Sequence, residues 1–353
     1  MLDFYVDMDY LTPNDVENFR NNDNDGKIKS KTWRICAIII LVLIGVGGIL
    51  LSLAKGAVEI PIAELLNILL GQENNINSQI IYNIRLPRTI VAICVGLNLA
   101  VAGAILQAIM RNPLADPHII GISSGAGLAG IATMIILPKF EYLITPISFL
   151  GAMLAAVVIY ILAWKDGIRP VRIILAGVAV SAFFGSGISA LMIFCRGRVQ
   201  CALMWMVGGL AGSSWPQVVL ILPCASFGCI VAYLGARNLN ILQLGDDIAR
   251  SLGLKVEVVR FSMTAIAAIL AASSVSVVGL LGFVGLIVPH AARLLVGSDY
   301  RYLLPATGFL GIAVITLSDT FARVVFAPIE LPVGIIMAFI GAPFFLFLLR
   351  REL

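Results

Sequence analysis

Charge is what this sequence has least of. Of its 353 residues only 12% are Asp, Glu, Lys or Arg, about half the share found in an ordinary soluble domain. So few charges cannot cover a water-soluble body of this length. With 60% hydrophobic residues and a mean hydropathy of +1.00, the solvent for most of the chain is lipid.

Catalytic motifs are missing too. The only histidines are His118 and His290, and no H-E-x-x-H occurs, which removes the common zinc-hydrolase pattern. No G-x-x-x-x-G-K-[ST] occurs either, since Gly26-Lys27 is followed by Ile28. The chain therefore has no loop to cradle ATP phosphates and is not expected to hydrolyse ATP by itself. The six cysteines contain no C-x-x-C pair, and most read as packing residues inside apolar runs. Cys195 and Cys201 flank a charged stretch, and a disulfide between them is the alternative if that stretch faces an oxidising compartment. The net charge of +4 is scattered between apolar runs, with no stripe or tail suited to nucleic acid.

Two motifs that are present mislead. Gly125 to Gly130 fits the dinucleotide pattern G-x-G-x-x-G, but no strand precedes it, and helix packing is the better reading. Gly121 to Gly125 fits the hydrolase pattern G-x-S-x-G around Ser123, yet that elbow needs a strand-turn-helix where this chain has an apolar helical segment. No enzyme is expected.

The apolar runs place helices near 33–53, 86–110, 118–137, 146–164, 170–194, 215–236, 258–280, 282–297, 303–325 and 332–350. Ten spans of about 20 residues fit the length. The run 282–297 is short and holds Pro289, His290 and Arg293, so it reads equally as a half-helix. With an even count both termini share one side. Seventeen of the 24 Lys and Arg then fall in the loops of that side, which makes it cytoplasmic. Residues 1–32 form an acidic tail expected to be disordered, and 33–353 form one transmembrane domain. Small residues recur every fourth position at Gly177, Ser181, Gly185 and Ser189, and again at Gly334, Ala338 and Ala342, which suits close helix packing in lipid.

Several ordered blocks are more specific. Arg85-Leu86-Pro87-Arg88 opens a helix, and Arg111-Asn112-Pro113-Leu114-Ala115-Asp116-Pro117 runs into Gly121-Ile122-Ser123-Ser124-Gly125-Ala126. Later come Gly282-Phe283-Val284-Gly285 through Pro289-His290, then Glu330-Leu331-Pro332-Val333-Gly334 and Gly341-Ala342-Pro343. In that order, from about Trp33 to the end, they resemble the permeases of bacterial ABC importers for iron-siderophores, haem and cobalamin. The resemblance implies an all-α polytopic bundle of the type II importer class with about ten transmembrane helices. It implies a homodimer with two cytoplasmic ATPase subunits and one extracytoplasmic substrate-binding protein. ATP would sit on the ATPase, with no cofactor or metal bound by this chain, and the path would run between the two copies.

The resemblance also implies site residues. Arg85, Arg88 and Arg323 match family arginines that dock the binding protein through acidic partners, which steer association more than they strengthen it. Headgroup anchoring is the alternative for Arg85 and Arg88, and pairing with Asp319, four residues earlier, competes for Arg323. On the cytoplasmic side Asp246, Asp247, Ile248, Ala249, Arg250, Leu252 and Gly253 read as a short helix with acidic start, apolar face and glycine stop, which matches the family's ATPase-coupling helices. Asn112 and Leu114 in one loop, and Pro170 and Val171 in another, resemble its cytoplasmic gate. Cobalamin permeases carry small hydroxyl residues where this chain has Pro170 and Val171.

The leading expectation is an ATP-driven importer permease for an iron complex, with haem or cobalamin import on the same architecture as the alternative. An ion-coupled secondary transporter is the competing class, and it needs ionisable groups near mid-membrane. Asp319 is nearly the only candidate.

Overall fold

The computed structural model describes residues 30–56, 58–71, 75–164, 170–195, 199–325, 327 and 329–352. The expected tail, residues 1–32, lies outside the described residues as far as residue 29, and so does the charged stretch 196–198. Cys195 and Cys201 are both free thiols.

The described residues form helices and no strand. α1 spans Lys31–Ala54, α2 Ile62–Leu69, and α3 Ile76–Met110 with a π turn at Ile81–Arg85. α4 (Pro117–Ile120) and α5 (Ile122–Ile136) follow, then α6 (Ile144–Ala163), α7 (Pro170–Phe194) and α8 (Val199–Val207). α9 (Trp215–Leu234) leads into the short α10 (Ala236–Gln243) and α11 (Asp246–Ser251). α12 (Val256–Val278), α13 (Val284–Val296), α14 (Tyr300–Val324) and α15 (Val333–Glu352) complete the bundle.

Each of the ten apolar runs coincides with a helix. Among the described residues, however, seven helices are long and apolar enough to cross a membrane: α1, α3, α6, α7, α9, α12 and α14. α5, α13 and the apolar part of α15 are shorter. α13 has 13 residues, about 20 Å of helix against a hydrocarbon core of about 30 Å. It is a half-length helix, entered through Phe283 in the left-handed region at φ 68°.

α3 is the axis around which the bundle is assembled, with α9, α12, α13 and α14 all packed on it. It is buried almost throughout, whereas α1, α6, α7 and α9 are only 22–28% buried and keep apolar side chains on the outside. Lipid tails offer no hydrophobic drive for helices to associate, so contact must come from close van der Waals fit and internal hydrogen bonds. α3 supplies both. A Cβ on Gly96 would stand 2.3 Å from the Gly311 carbonyl oxygen, and one on Gly103 would stand 1.9 Å from that of Gly285. The backbones of α14 and α13 touch α3 at these two points. Around them Asn98 donates to Ser273 at 3.2 Å, Gln107 to the Gly285 carbonyl at 3.3 Å, and Tyr300 Oη to the Ala104 carbonyl at 3.2 Å.

The other small-residue signals sort the same way. Gly125 faces Gly151 of α6, so the G-x-G-x-x-G run is a helix contact. Ser123 is buried on α5 with no strand before it. On α7, Gly177 and Ser181 pack against Gly121, whereas nothing lies within 4 Å of a Cβ on Gly185. On α15, Gly334 lies against the Val207 carbonyl, while Ala338 and Ala342 face outward.

Gly103→Ala pushes a methyl into the α13 backbone and is expected to destabilise the folded protein by about 1–3 kcal/mol. Gly47→Ala on α1, where a Cβ meets nothing within 4 Å, leaves stability unchanged. Thermal unfolding in detergent measures both, and equal midpoints would refute the close-contact account.

Candidate functional site

The three arginines sit at one end of the bundle, and their positions follow from how α1 ends. The last four carbonyls of an α-helix have no partner within it. α1 carries no basic residue in its last turn, so donors must come from elsewhere. Arg85, the last residue of the π turn of α3, sends Nη1 to the Leu53 and Ala54 carbonyls at 2.6 and 2.8 Å and Nη2 to that of Val58. Arg323, near the end of α14, reaches the Ser52 and Lys55 carbonyls at 3.2 and 3.3 Å and the Ser52 hydroxyl at 3.1 Å. Two guanidinium groups thus cap one helix terminus, where the aligned peptide dipoles favour positive charge.

Arg88 holds the same end from the other side. Nε and Nη2 form a fork on Asp319 at 3.0 and 2.8 Å, and Nη1 reaches Glu330 at 2.8 Å. Asp319 is also 3.1 Å from Arg323 Nε, so one buried carboxylate serves two arginines from two helices. Burying these charges is tolerable only because they are paired and hydrogen-bonded.

Arg85, Arg88 and Arg323 are 4, 8 and 6% exposed, their guanidinium groups turned to neighbouring helices rather than to solvent. The reason is geometric: α1 presents uncapped carbonyls and α14 a buried carboxylate, and both lie closer than solvent. The Asp319–Arg323 pair four residues apart was legible in sequence. The Arg88–Asp319 fork spans 231 residues and was not; the one available signal was α1 ending without a basic residue. With both oxygens taken by guanidinium donors, Asp319 is also badly placed to relay ions for a secondary transporter.

The opposite end gathers the basic loops. Trp33 of α1 donates to the Leu295 carbonyl at 2.9 Å, and Arg34 lies 3.7 Å from Asp299. Asp299 caps α14 through the Arg301 amide at 3.1 Å and accepts from Asn240 of α10 at 2.8 Å. Its hydrogen bond from the Arg301 guanidinium is the main reason its carboxyl is held down to about 2.

α11 has the predicted form. Asp246 and Asp247 open it, and it closes in a Schellman turn, with Gly253 N–H on the Arg250 carbonyl at 2.9 Å and Leu254 N–H on that of Ala249 at 3.0 Å. Gly253 occupies the left-handed position at φ 82°. Ala249 is buried beneath the helix, while Ile248 and Leu252 are 52 and 60% exposed. These two apolar side chains are unusual on a six-residue helix that could have hidden them.

Of the expected gate residues, Asn112 folds its own loop, its Oδ1 accepting the Leu114 amide at 2.9 Å. Leu114 is half-buried. Pro170 opens α7 and Val171 is 66% exposed. Val171 shares a cleft of about 640 Å³ with Met110, Arg111 and the start of α11 at Leu244–Ile248. Asn112 and Leu114 do not line it, so the structure brings the second loop to α11 and leaves the first beside it. The connection 165–169 lies outside the described residues.

With this geometry in hand, likeness to known proteins is informative. The sequence model of the FecCD transport family matches residues 31–351. The Fe(3+)-citrate import system permease protein YfmD of Bacillus subtilis is 39% identical over 318 residues, covering 90% of this chain and 95% of that protein. The hemin transport system permease protein HmuU of Yersinia pestis is 35% identical, with 93% and 98% covered. A solved inward-facing metal-chelate type ABC transporter superposes with a TM-score of 0.80 at 30% identity, covering 89% of this chain and 98% of that one.

Asp319→Asn strips the shared carboxylate from two buried guanidinium groups, and breaking a buried pair costs about 3–5 kcal/mol. The variant should lose its folded fraction in detergent, read by size-exclusion profile and melting midpoint; a melt like that of the parent overturns the assignment. At the other end, Asp299 has its carboxyl depressed when folded, so the stability it adds is present at neutral pH and lost as the pH falls from about 4 toward its folded value. Asp299→Asn should therefore melt lower than the parent at pH 7, with the gap closing on acidification. A gap independent of pH contradicts this.

Proposed function

This chain belongs to the FecCD transport family, and we propose on that premise that it is the membrane-spanning permease of an ATP-driven importer whose cargo is an iron complex. One observation carries the reading: the family match runs unbroken from α1 to α15, and at the basic end of that same bundle a capped helix presents Ile248 and Leu252 to solvent. Exposed apolar side chains on a short rigid helix fit a groove on a partner. We assign them to a cytoplasmic ATPase subunit, which binds and hydrolyses the ATP that this chain has no loop to hold.

The remaining assignments follow from this orientation. The basic end, with Arg34, Arg111, Arg250 and Arg301, is cytoplasmic, as the charge bias of short loops favours. The opposite end receives the substrate-binding protein. There the buried arginines shape the platform, and contact falls to exposed neighbours such as Lys55, Glu59 and Glu330. Lys55 and Glu59 pair at 2.7 Å, and the lysine beside it holds the Glu59 carboxyl below its usual value. A second copy of this chain packs on the outward faces of α15 and α7, where Ala338, Ala342 and Gly185 stand open, and the path runs between the copies.

The cargo is taken as an iron complex because the similar permeases include one for Fe(3+)-citrate and the similar structure is of the metal-chelate type. Proteoliposomes holding this chain, its ATPase and its binding protein should accumulate the ferric complex only with ATP inside the reach of the ATPase. Uptake by this chain alone, driven by a proton gradient, refutes the proposal.

A further inference from the structure

Arg111 is neither a docking nor a gate residue in the reading above, yet it is unusually placed. It ends α3 in the left-handed region at φ 49°, one of two such non-glycine residues among those described. A residue with a Cβ adopts that conformation only where its surroundings hold it. Here the next residues, Asn112 to Leu114, form the tight turn closed by the Asn112 side chain. The left-handed step at Arg111 therefore sets the direction in which the expected gate loop leaves α3.

The guanidinium of Arg111 points the other way, to α11. Nη2 stands 3.5 Å from Asp246 Oδ1, the first residue of that helix, and a Cβ on Gly245 would lie 3.4 Å from Nη1. The same Asp246 oxygen accepts from Arg260 Nη2 of α12 at 2.9 Å. Arg260 is 1% exposed, whereas the Arg111 side chain is 42% exposed. The two ties differ in kind: Arg260 anchors Asp246 to the core of the bundle, and Arg111 joins it to the start of the loop. Arg250 on α11 is occupied elsewhere, 3.7 Å from Asp247 and 3.5 Å from Glu257, and does not compete. Val171 closes the same cleft from α7.

We propose that Arg111 is a positioning residue that passes displacement of α11 to the 112–114 loop through its ion pair with Asp246. The proposal rests on the assignment of α11 to the ATPase contact. When α11 is pushed, Asp246 moves with it as the first residue of a rigid capped turn. Arg111 follows because its charge has that carboxylate to track, and its strained backbone converts the pull into rotation at the loop. Without the guanidinium, α11 remains anchored through Arg260, and the motion stops there.

The test uses the full complex of permease, ATPase and binding protein in proteoliposomes. Arg111→Gln removes the partly exposed partner and leaves the Arg260–Asp246 anchor whole. Cargo uptake per ATP hydrolysed is expected to drop about tenfold, within the usual span of coupling between sites, while hydrolysis itself persists. Arg111→Lys keeps the charge and should recover most of that ratio. Arg111→Gln combined with Asp246→Asn should lower the ratio no further than Asp246→Asn alone, since both remove one link. An unchanged ratio in Arg111→Gln, or single-variant losses that multiply in the double variant, overturns the proposal. If the parent complex shows no ATP-dependent uptake, the importer reading fails instead, and that outcome is recognised before any variant is compared.

Discussion

The bundle depends on how closely α3 can be approached. In lipid an apolar side chain gains little by leaving one apolar environment for another, so a helix with four others packed on it must offer them contact too tight for a solvent molecule or a methyl group to interrupt. Gly96 against Gly311 and Gly103 against Gly285 bring backbones to touching distance. Those two contacts fix where α14 and α13 lie along α3. The positions of Arg88 against Asp319 at one end, and of Gln107 against Arg293 at 3.0 Å toward the other, follow from that register.

Tight packing at the centre leaves the ends to polar chemistry. At one end α1 stops with the Ser52, Leu53 and Ala54 carbonyls to satisfy, and Arg85 and Arg323 satisfy them while Asp319 balances the charge of Arg323 and Arg88. At the other, Asp299 gathers α1, α10 and α14, and Asp246 gathers α3, α11 and α12. Asp299 and Asp246 each tie three helices.

Much of this was legible before any coordinates. Spans, loop charge bias and the capped α11 depend on local pattern: twenty apolar residues, a sign imbalance, an acidic start and a glycine stop are properties of short windows. The half-length of α13 was legible for the same reason, from Pro289, His290 and Arg293 in a brief run. The arginines were not. A basic residue at a helix end looks the same in sequence whether it faces water, a partner or another helix's carbonyls, and only the packing of α1 and α14 shows that Arg85, Arg88 and Arg323 turn inward. α2, α8 and α10 were also missed, being too short to carry a periodicity that stands out from a loop.

Sequence by itself determined that the chain lives in a membrane, roughly where its helices run, and which family it belongs to. These follow from composition and from ordered blocks that survive without knowledge of contacts. Only the tertiary structure decided which charges are buried and with whom, that α3 is the axis, and that Arg111 stands between the 112–114 loop and α11. Pairings such as Arg88 with Asp319, or Arg111 with Asp246, join residues far apart along the chain. No local pattern encodes which of several arginines a carboxylate will meet, because that is set by the distance between helices once their backbones have packed.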